Sequence, residues 1–196
     1  MPKIVDHAER RREVLDATWR VIASQGLEAA TTRRIAEEAG YSIGVLTHYF
    51  VDKEDILVSA HQLAFAQARD RILRATADRN GLEALRRAIL EALPLDDERH
   101  LEAQVDVSFL GQTVANEHFR EIRSASHAGS RKLWRGFLEQ AQRAAEISAD
   151  QDTELLVDEV LTLVEGLSTQ AIIDPERMTP AHQVVLVDRL LARIAV

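Results

Sequence analysis

The apolar residues of this chain recur with the period of an α-helix almost from end to end. No stretch alternates polar and apolar residues as a half-buried strand would. Val14, Leu15, Thr18, Val21 and Ile22 form one stripe of a first helix, which Asp6 and Glu9 open as a capping box and Gln25-Gly26 closes. Two short helices are predicted over 32–39 and 43–49. A long one follows, capped by Asp52 and running into the upper 70s, where Asn80-Gly81 is a stop signal. Further helices fit 82–93, 97–114, 117–146 and 151–173. A last one has Thr179 as N-cap and Pro180 at its first position, and ends near 194. Pro94 and Pro175 fall in the breaks, and no proline interrupts a helix, where its missing N–H would break it. The fold class is therefore all-α, with about nine helices and no internal repeat.

The 196 residues suffice for one large domain or two modest ones. With no cysteine, disulfides, zinc-thiolate sites and thiol nucleophiles are excluded. No apolar run reaches the length of a signal peptide core or a membrane span, so the expectation is a cytoplasmic protein with no membrane partner. The net charge of −8 looks wrong for a nucleic-acid binder until it is divided along the chain. Of the 24 basic and 32 acidic residues, eight of each lie within residues 1–53, so the whole excess falls beyond them. DNA contact needs a local basic face, not a basic protein.

Residues 31–57, TTRRIAEEAGYSIGVLTHYFVDKEDIL, carry the chemistry. Ile35, Ala36 and Ala39 form the inner face of a short helix, and small Ala36 lets a second helix approach closely. Gly40 follows where a tight turn favours an unhindered backbone. Ser42 is placed to cap the next helix, and Val45 and Leu46 to pack back on the first. This is the spacing of a helix-turn-helix, whose second helix enters the major groove of DNA.

Together with its flanks, SQGLEAATTRRIA before the turn and DKEDIL after the recognition segment, the stretch 8–60 resembles the N-terminal domain of the TetR family of bacterial regulators. The C-terminal part, including ALPLDDERH at 92–100, is similar to the BetI-type subset. The resemblance implies a DNA-binding domain at 1–53 and an effector-binding and dimerisation domain at 54–196. It also implies a homodimer on palindromic double-stranded operator DNA, released by a small-molecule effector. Thr31, Thr32, Arg33 and Arg34 would face phosphate at a helix start. Ser42, Ile43, Gly44, Thr47, His48 and Tyr49 would meet the groove or its rim, and Lys53 would hold a phosphate. Phe50 would wedge into the core behind them. Many family members carry Tyr where this chain has Thr47, which directs that position toward a thymine methyl or base edge instead of phosphate. Arg10, Arg11 and Arg12 fit either an arm to DNA or a solvated helix face.

In such regulators the long helix couples the DNA-reading head to the ligand-binding body, where Gln104, Phe109, Asn116, His127, Trp134 and Phe137 are the candidate pocket residues. A BetI-like ligand would be a quaternary ammonium held by cation–π contact. The helix over 155–173 is apolar on two stripes, one of them Leu156, Val160, Leu163 and Leu167. The final helix repeats the pattern with Val187, Leu190, Leu191 and Ile194. Two such pairs could form a four-helix dimer interface, or the first could be a buried central helix of a monomer; a head that needs two half-sites favours the dimer. No cofactor or metal site is expected. The seven histidines form no H-E-x-x-H pair, and the chain has neither a Gly-rich phosphate loop nor a G-x-S-x-G elbow, which argues against an enzyme. The same fold serves a repressor or an activator, the sign depending on where the operator lies.

Overall fold

The computed structural model describes residues 7–196, so the Asp6 half of the expected capping box lies outside the described residues. Among them it contains nine α-helices and no strand, the one β-type contact being an isolated bridge between Ile147 and Ala195. In chain order the helices are α1 (His7–Gln25), α2 (Thr32–Ala39), α3 (Ile43–Tyr49), α4 (Lys53–Ala75), α5 (Gly81–Ala92), α6 (Asp97–Thr113), α7 (Glu117–Arg143), α8 (Thr153–Ile173) and α9 (Pro180–Ile194). Local chemistry sets most starts. Thr31, Ser42, Asp52, Asp96, Asp152 and Thr179 each occupy an N-cap and accept a hydrogen bond from an orphan N–H of the following turn.

Two ends fall several residues short of the sequence expectation, the others lying within one or two residues of it. The long helix stops at Ala75, where Thr76 turns its hydroxyl back to the Ile72 carbonyl. α7 stops at Arg143 instead of 146, because Ala145 takes a left-handed φ of 58°. That turn sends Glu146 back to α5, where its carboxylate accepts from the Leu82 N–H at 2.7 Å. Gly81, with φ +59°, lies against this carboxylate so closely that a Cβ would sit 1.9 Å from Oε2.

Two apolar clusters organise the packing. The body cluster joins Ile72, Leu85, Ile89, Trp134, Phe137, Leu138, Leu156, Val160, Leu167, Val187, Leu191 and Ile194. The head cluster joins Val14, Trp19, Ile22, Ile35, Leu46, Phe50, Ile56 and Leu57. It does not stop at residue 53, but runs on through Ala64 of α4 to Val105, Phe109 and Phe119 of α6 and α7. α4 therefore contributes to both clusters and carries the connection between them.

Most of the residues expected at a dimer interface are already spent in this interior. Leu156, Val160, Leu167, Val187, Leu191 and Ile194 are all buried within one protomer, and Leu163 and Leu190 pack half-buried against them. α8 satisfies one of its apolar stripes on α5, α6 and α7 of its own chain. A different stripe faces outward: Leu155, Thr162, Gly166 and Ile173 are exposed and share one side of the helix. On α9 the outward side carries Val185, Arg189 and Ala192.

Candidate nucleic-acid interface and effector cavity

The turn between α2 and α3 is built by three residues. Gly40 caps α2 in the left-handed conformation, φ 71°, a region closed to most side chains, and its N–H reaches the Ala36 and Glu37 carbonyls. Tyr41 N–H also returns to the Ala36 carbonyl, at 2.9 Å. Ser42 Oγ then accepts from Val45 N–H at 3.4 Å and starts α3. Leu46, fully buried, holds α3 against Ile35 and Ala36, and buried Phe50 closes the space behind it, as the sequence predicts. With those side chains inward, Ser42, Ile43, Gly44, Thr47 and His48 are exposed in a row, and Tyr49 is half-buried beside them. Thr47 donates its hydroxyl to the Gly44 carbonyl at 3.1 Å. Its methyl is therefore the group left for an apolar partner.

The rings of His48 and Tyr49 meet edge-on, with centroids 5.2 Å apart. His7 of α1 joins them, 5.8 Å from His48 and 5.6 Å from Tyr49. Sequence reasoning missed His7, because more than forty residues separate it from the recognition helix and no local pattern links them. The three N-terminal arginines also divide. Arg11 is neither arm nor solvated face: it donates to Ser59 Oγ at 2.6 Å and stacks its guanidinium 4.8 Å over the Phe50 ring, pinning α1 to α4. Arg10 lies 5.9 Å over Tyr41, and Arg12 is exposed. The hydrogen bond from Tyr41 to Glu13 is the main reason that the Tyr41 phenol is raised above its usual range.

At the start of α2, Thr31 and Arg33 are exposed and Thr32 and Arg34 half-exposed. Both arginines lean on acids of the next turn: Arg33 lies 3.0 Å from Glu37, and Arg34 lies 3.6 Å from Glu37 and 3.7 Å from Glu38. Exposed pairs of this kind are weak and exchange readily for another anion. Lys53, half-exposed, begins α4 behind the Asp52 cap.

In the body α4, α6, α7 and α8 stop short of one another and leave a cavity of about 360 Å³, at the small end of the range of roughly 300–1,000 Å³ in which ligand sites fall. Phe65, Ile72, Leu133, Trp134, Leu161 and Val164 supply much of its wall. Of the six pocket residues nominated from sequence, only His127 and Trp134 line it. Gln104 does not reach it, and Asn116 caps α7 by accepting from His118 N–H. Phe137 is body core. Phe109 is fully buried in the head cluster, stacked on the ring of His61 at 4.1 Å. The nominated aromatics therefore form no cage for a quaternary ammonium.

An ionic chain closes the cavity on the side toward the head. Asp106 pairs with Arg123, and its Oδ1 lies 3.4 Å from Nδ1 of fully buried His61. Burial pushes the Asp106 carboxyl up, but His61 and Arg123 more than offset this and hold it below the usual carboxylate range. Arg123 reaches Glu165 of α8 at 3.4 Å, and His127 Nε2 lies 2.6 Å from the same carboxylate. One residue before His61, the Ala60 carbonyl accepts from Trp19 Nε1 of α1 at 3.0 Å. A continuous set of contacts thus runs from the cavity wall to the first helix of the head. A second group, Arg71 bonded to Glu102 at 2.7 Å and to the Glu91 carbonyl, ties α4 to α5 and α6. Among the described residues no three potential ligands converge as a metal site would need. No helix there is long and apolar enough to cross a membrane.

Comparison with known proteins agrees with this geometry. A family model described as bacterial regulatory proteins of the tetR family matches residues 14–60, and one for the C-terminal domain of BetI-type transcriptional repressors matches residues 81–196. The HTH-type transcriptional regulator PksA of Bacillus subtilis is 34% identical over 179 residues, 91% of this chain and 86% of PksA. The HTH-type transcriptional regulator BetI of Cronobacter sakazakii is 30% identical over 87% of this chain and 83% of its own length. Among solved structures, a Rhodococcus transcriptional regulator superposes with a TM-score of 0.83 at 26% identity, covering 94% of this chain and 95% of that one. A Saccharomonospora viridis regulator solved with choline (TM-score 0.86, 22% identity, 96% and 98% covered) shares the fold. So does B. subtilis FadR solved with stearoyl-CoA (TM-score 0.78, 23% identity, 93% and 96% covered). An exposed recognition helix on a capped turn, a cavity in the helical body and matches to both halves lead to one conclusion: this chain belongs to the TetR family of transcriptional regulators, with a C-terminal domain of the BetI type.

Proposed function

We propose that the protein is a ligand-responsive repressor that binds a palindromic operator as a homodimer and leaves it when a small molecule fills the body cavity. The observation that carries this reading is that α4 begins at Lys53, beside the exposed face of α3, and runs on to form one wall of the cavity. A ligand that favours one seating of α4 favours one spacing of the two heads, and heads that no longer match successive major grooves lose the operator. Ser42, Ile43, Gly44, Thr47, His48 and Tyr49 read or border the groove, while Thr31, Thr32, Arg33, Arg34 and Lys53 hold phosphates. Neighbours of the same fold solved with choline and with stearoyl-CoA support a small-molecule effector without choosing its class.

The dimer forms through the outward stripe of α8, Leu155, Thr162, Gly166 and Ile173, with the outward side of α9 beside it. Leu155 at 60% exposure and Ile173 at 67% are large apolar groups on a helix whose other side is already buried. Two substitutions test the DNA reading together. Lys53→Ala weakens binding to every sequence and lowers the slope of log affinity against log salt by about one phosphate equivalent. Thr47→Ala keeps the slope and alters base preference. If Lys53→Ala instead shifted preference at constant slope, the assigned roles would be wrong.

A further inference from the structure

We propose that the effector is an amphiphilic anion, its apolar body in the cavity and its negative head in a basic cleft beside it. The proposal rests on the reading of the cavity as the effector site and adds the chemical class of the ligand. The cleft, about 420 Å³, has Thr113, Arg120, Arg123, Ser124, His127 and Arg131 as its polar lining, and no carboxylate lines it. Residues 120, 123, 124, 127 and 131 recur at three- and four-residue spacing, so α7 stacks three guanidiniums, an imidazole and a hydroxyl along one side. His127 lines both the cleft and the cavity, so the two spaces meet at its ring.

The charges around the ligand decide its sign. The carboxylates that reach the cavity are already committed: Glu102 to Arg71 at 2.7 Å, Asp106 to Arg123 and His61, and Glu165 to Arg123 and His127. Each already has a guanidinium beside it, so a cationic ligand would compete with a resident arginine. The arginines are less committed. Arg120 leans on exposed Glu117 at 3.4 Å and is itself 58% exposed, while Arg131 pairs with Asp158 and is 39% exposed. A guanidinium has five N–H donors and a single carboxylate engages only part of that fork, so its remaining donors are open to an incoming anion. An anionic head in the cleft would also draw on Arg123 and His127, the groups that hold Asp106 and Glu165. Occupancy is thereby linked to the Asp106–His61 contact that leads to the head.

The test measures binding of four probes with one chain length to the full-length protein by calorimetry, in parallel with operator binding. They are decanoate, decyl phosphate, decanol and decyltrimethylammonium. At least one of the two anions is expected to bind roughly tenfold or more tightly than the alcohol and the cation. Which anion wins separates a carboxylate head from a phosphate head. Arg120→Gln and Arg131→Gln should each erode that preference several-fold. Lys132→Gln, at an exposed neighbour outside the lining, should leave it intact. Equal or tighter binding of decanol or decyltrimethylammonium, indifference to both arginine substitutions, or no binding of any probe would overturn the proposal. If an anion binds with this signature and the operator complex does not respond, the ligand class stands and the effector reading fails. If decanol alone releases the operator, the effector reading stands and the class fails.

Discussion

In the head, α2 and α3 bury Ile35, Ala36 and Leu46 and leave Ser42, Ile43, Gly44, Thr47 and His48 outward. In the body, α4, α6, α7 and α8 turn apolar and charged side chains toward one another and still leave a space between them. The head's outward face is whatever the core rejects, so it follows from local pattern once the inward residues are known. The body's cavity is where the core fails to close, and that depends on how four distant segments meet. The ionic chain across that gap, His61, Asp106, Arg123, Glu165 and His127, draws on α4, α6, α7 and α8. The head's ionic contacts are surface pairs, within one turn as in Arg33 with Glu37 or between adjoining helices as in Arg20 with Glu38.

The contrast can be broken by mutation, most strongly where the two regions join. Phe109→Ala removes a fully buried ring stacked on His61 and 4.7 Å from Phe119. It should cost about 3–5 kcal/mol, read as a fall in the urea midpoint. A loss below about 1 kcal/mol would mean that head and body are not joined through this ring.

Arg123→Met leaves Asp106 beside His61 without its guanidinium and should cost about 2–3 kcal/mol at neutral pH, less than a fully buried pair because the carboxylate is partly exposed. The Asp106 carboxyl is held below its unfolded value, so its contribution is present above pH of about 4 and fades as pH falls through the folded value. The penalty of Arg123→Met should therefore shrink in the acid range; a penalty independent of pH would assign it to packing instead.

In the head, effects should appear in binding, not in stability. Lys53→Ala should weaken operator binding by about 1–2 kcal/mol with an unchanged urea midpoint. At the small end, Arg86→Gln, which removes an exposed pair with Asp188, should change stability by less than about 1 kcal/mol. Arg86 and Asp188 shift each other's ionisation, yet both are too exposed for that to become a large stability term.

How much was legible in the sequence follows the same division. The α2–α3 turn was readable because Gly40 and Ser42 act within four residues and Leu46 packs back onto the preceding helix, and both helices run over the expected residues. Glu146 was not readable as a partner of α5: its contact with Leu82 spans 64 residues, and the helix expected to continue through it ends at Arg143. Arg11 looked like a surface charge, since nothing near it announces Ser59 or Phe50. Phe109 and Phe137 were candidates for the pocket by residue type and by the helices that carry them, with plain core the competing reading, and large aromatics fill core more often than they line cavities. The apolar stripes of α8 and α9 showed that partners were needed, but not that α5, α6 and α7 of the same chain supply them.

Two copies of the exposed α3 face are expected to read two halves of one site. Selection of bound sequences from a random DNA pool by the full-length protein tests it most directly. The expected result is an inverted repeat with half-sites centred roughly one or more helical turns apart, with the preferred half-site changed by Thr47→Ala and retained by Lys53→Ala. Recovery of a single unrepeated site, or of no preferred sequence, would contradict it.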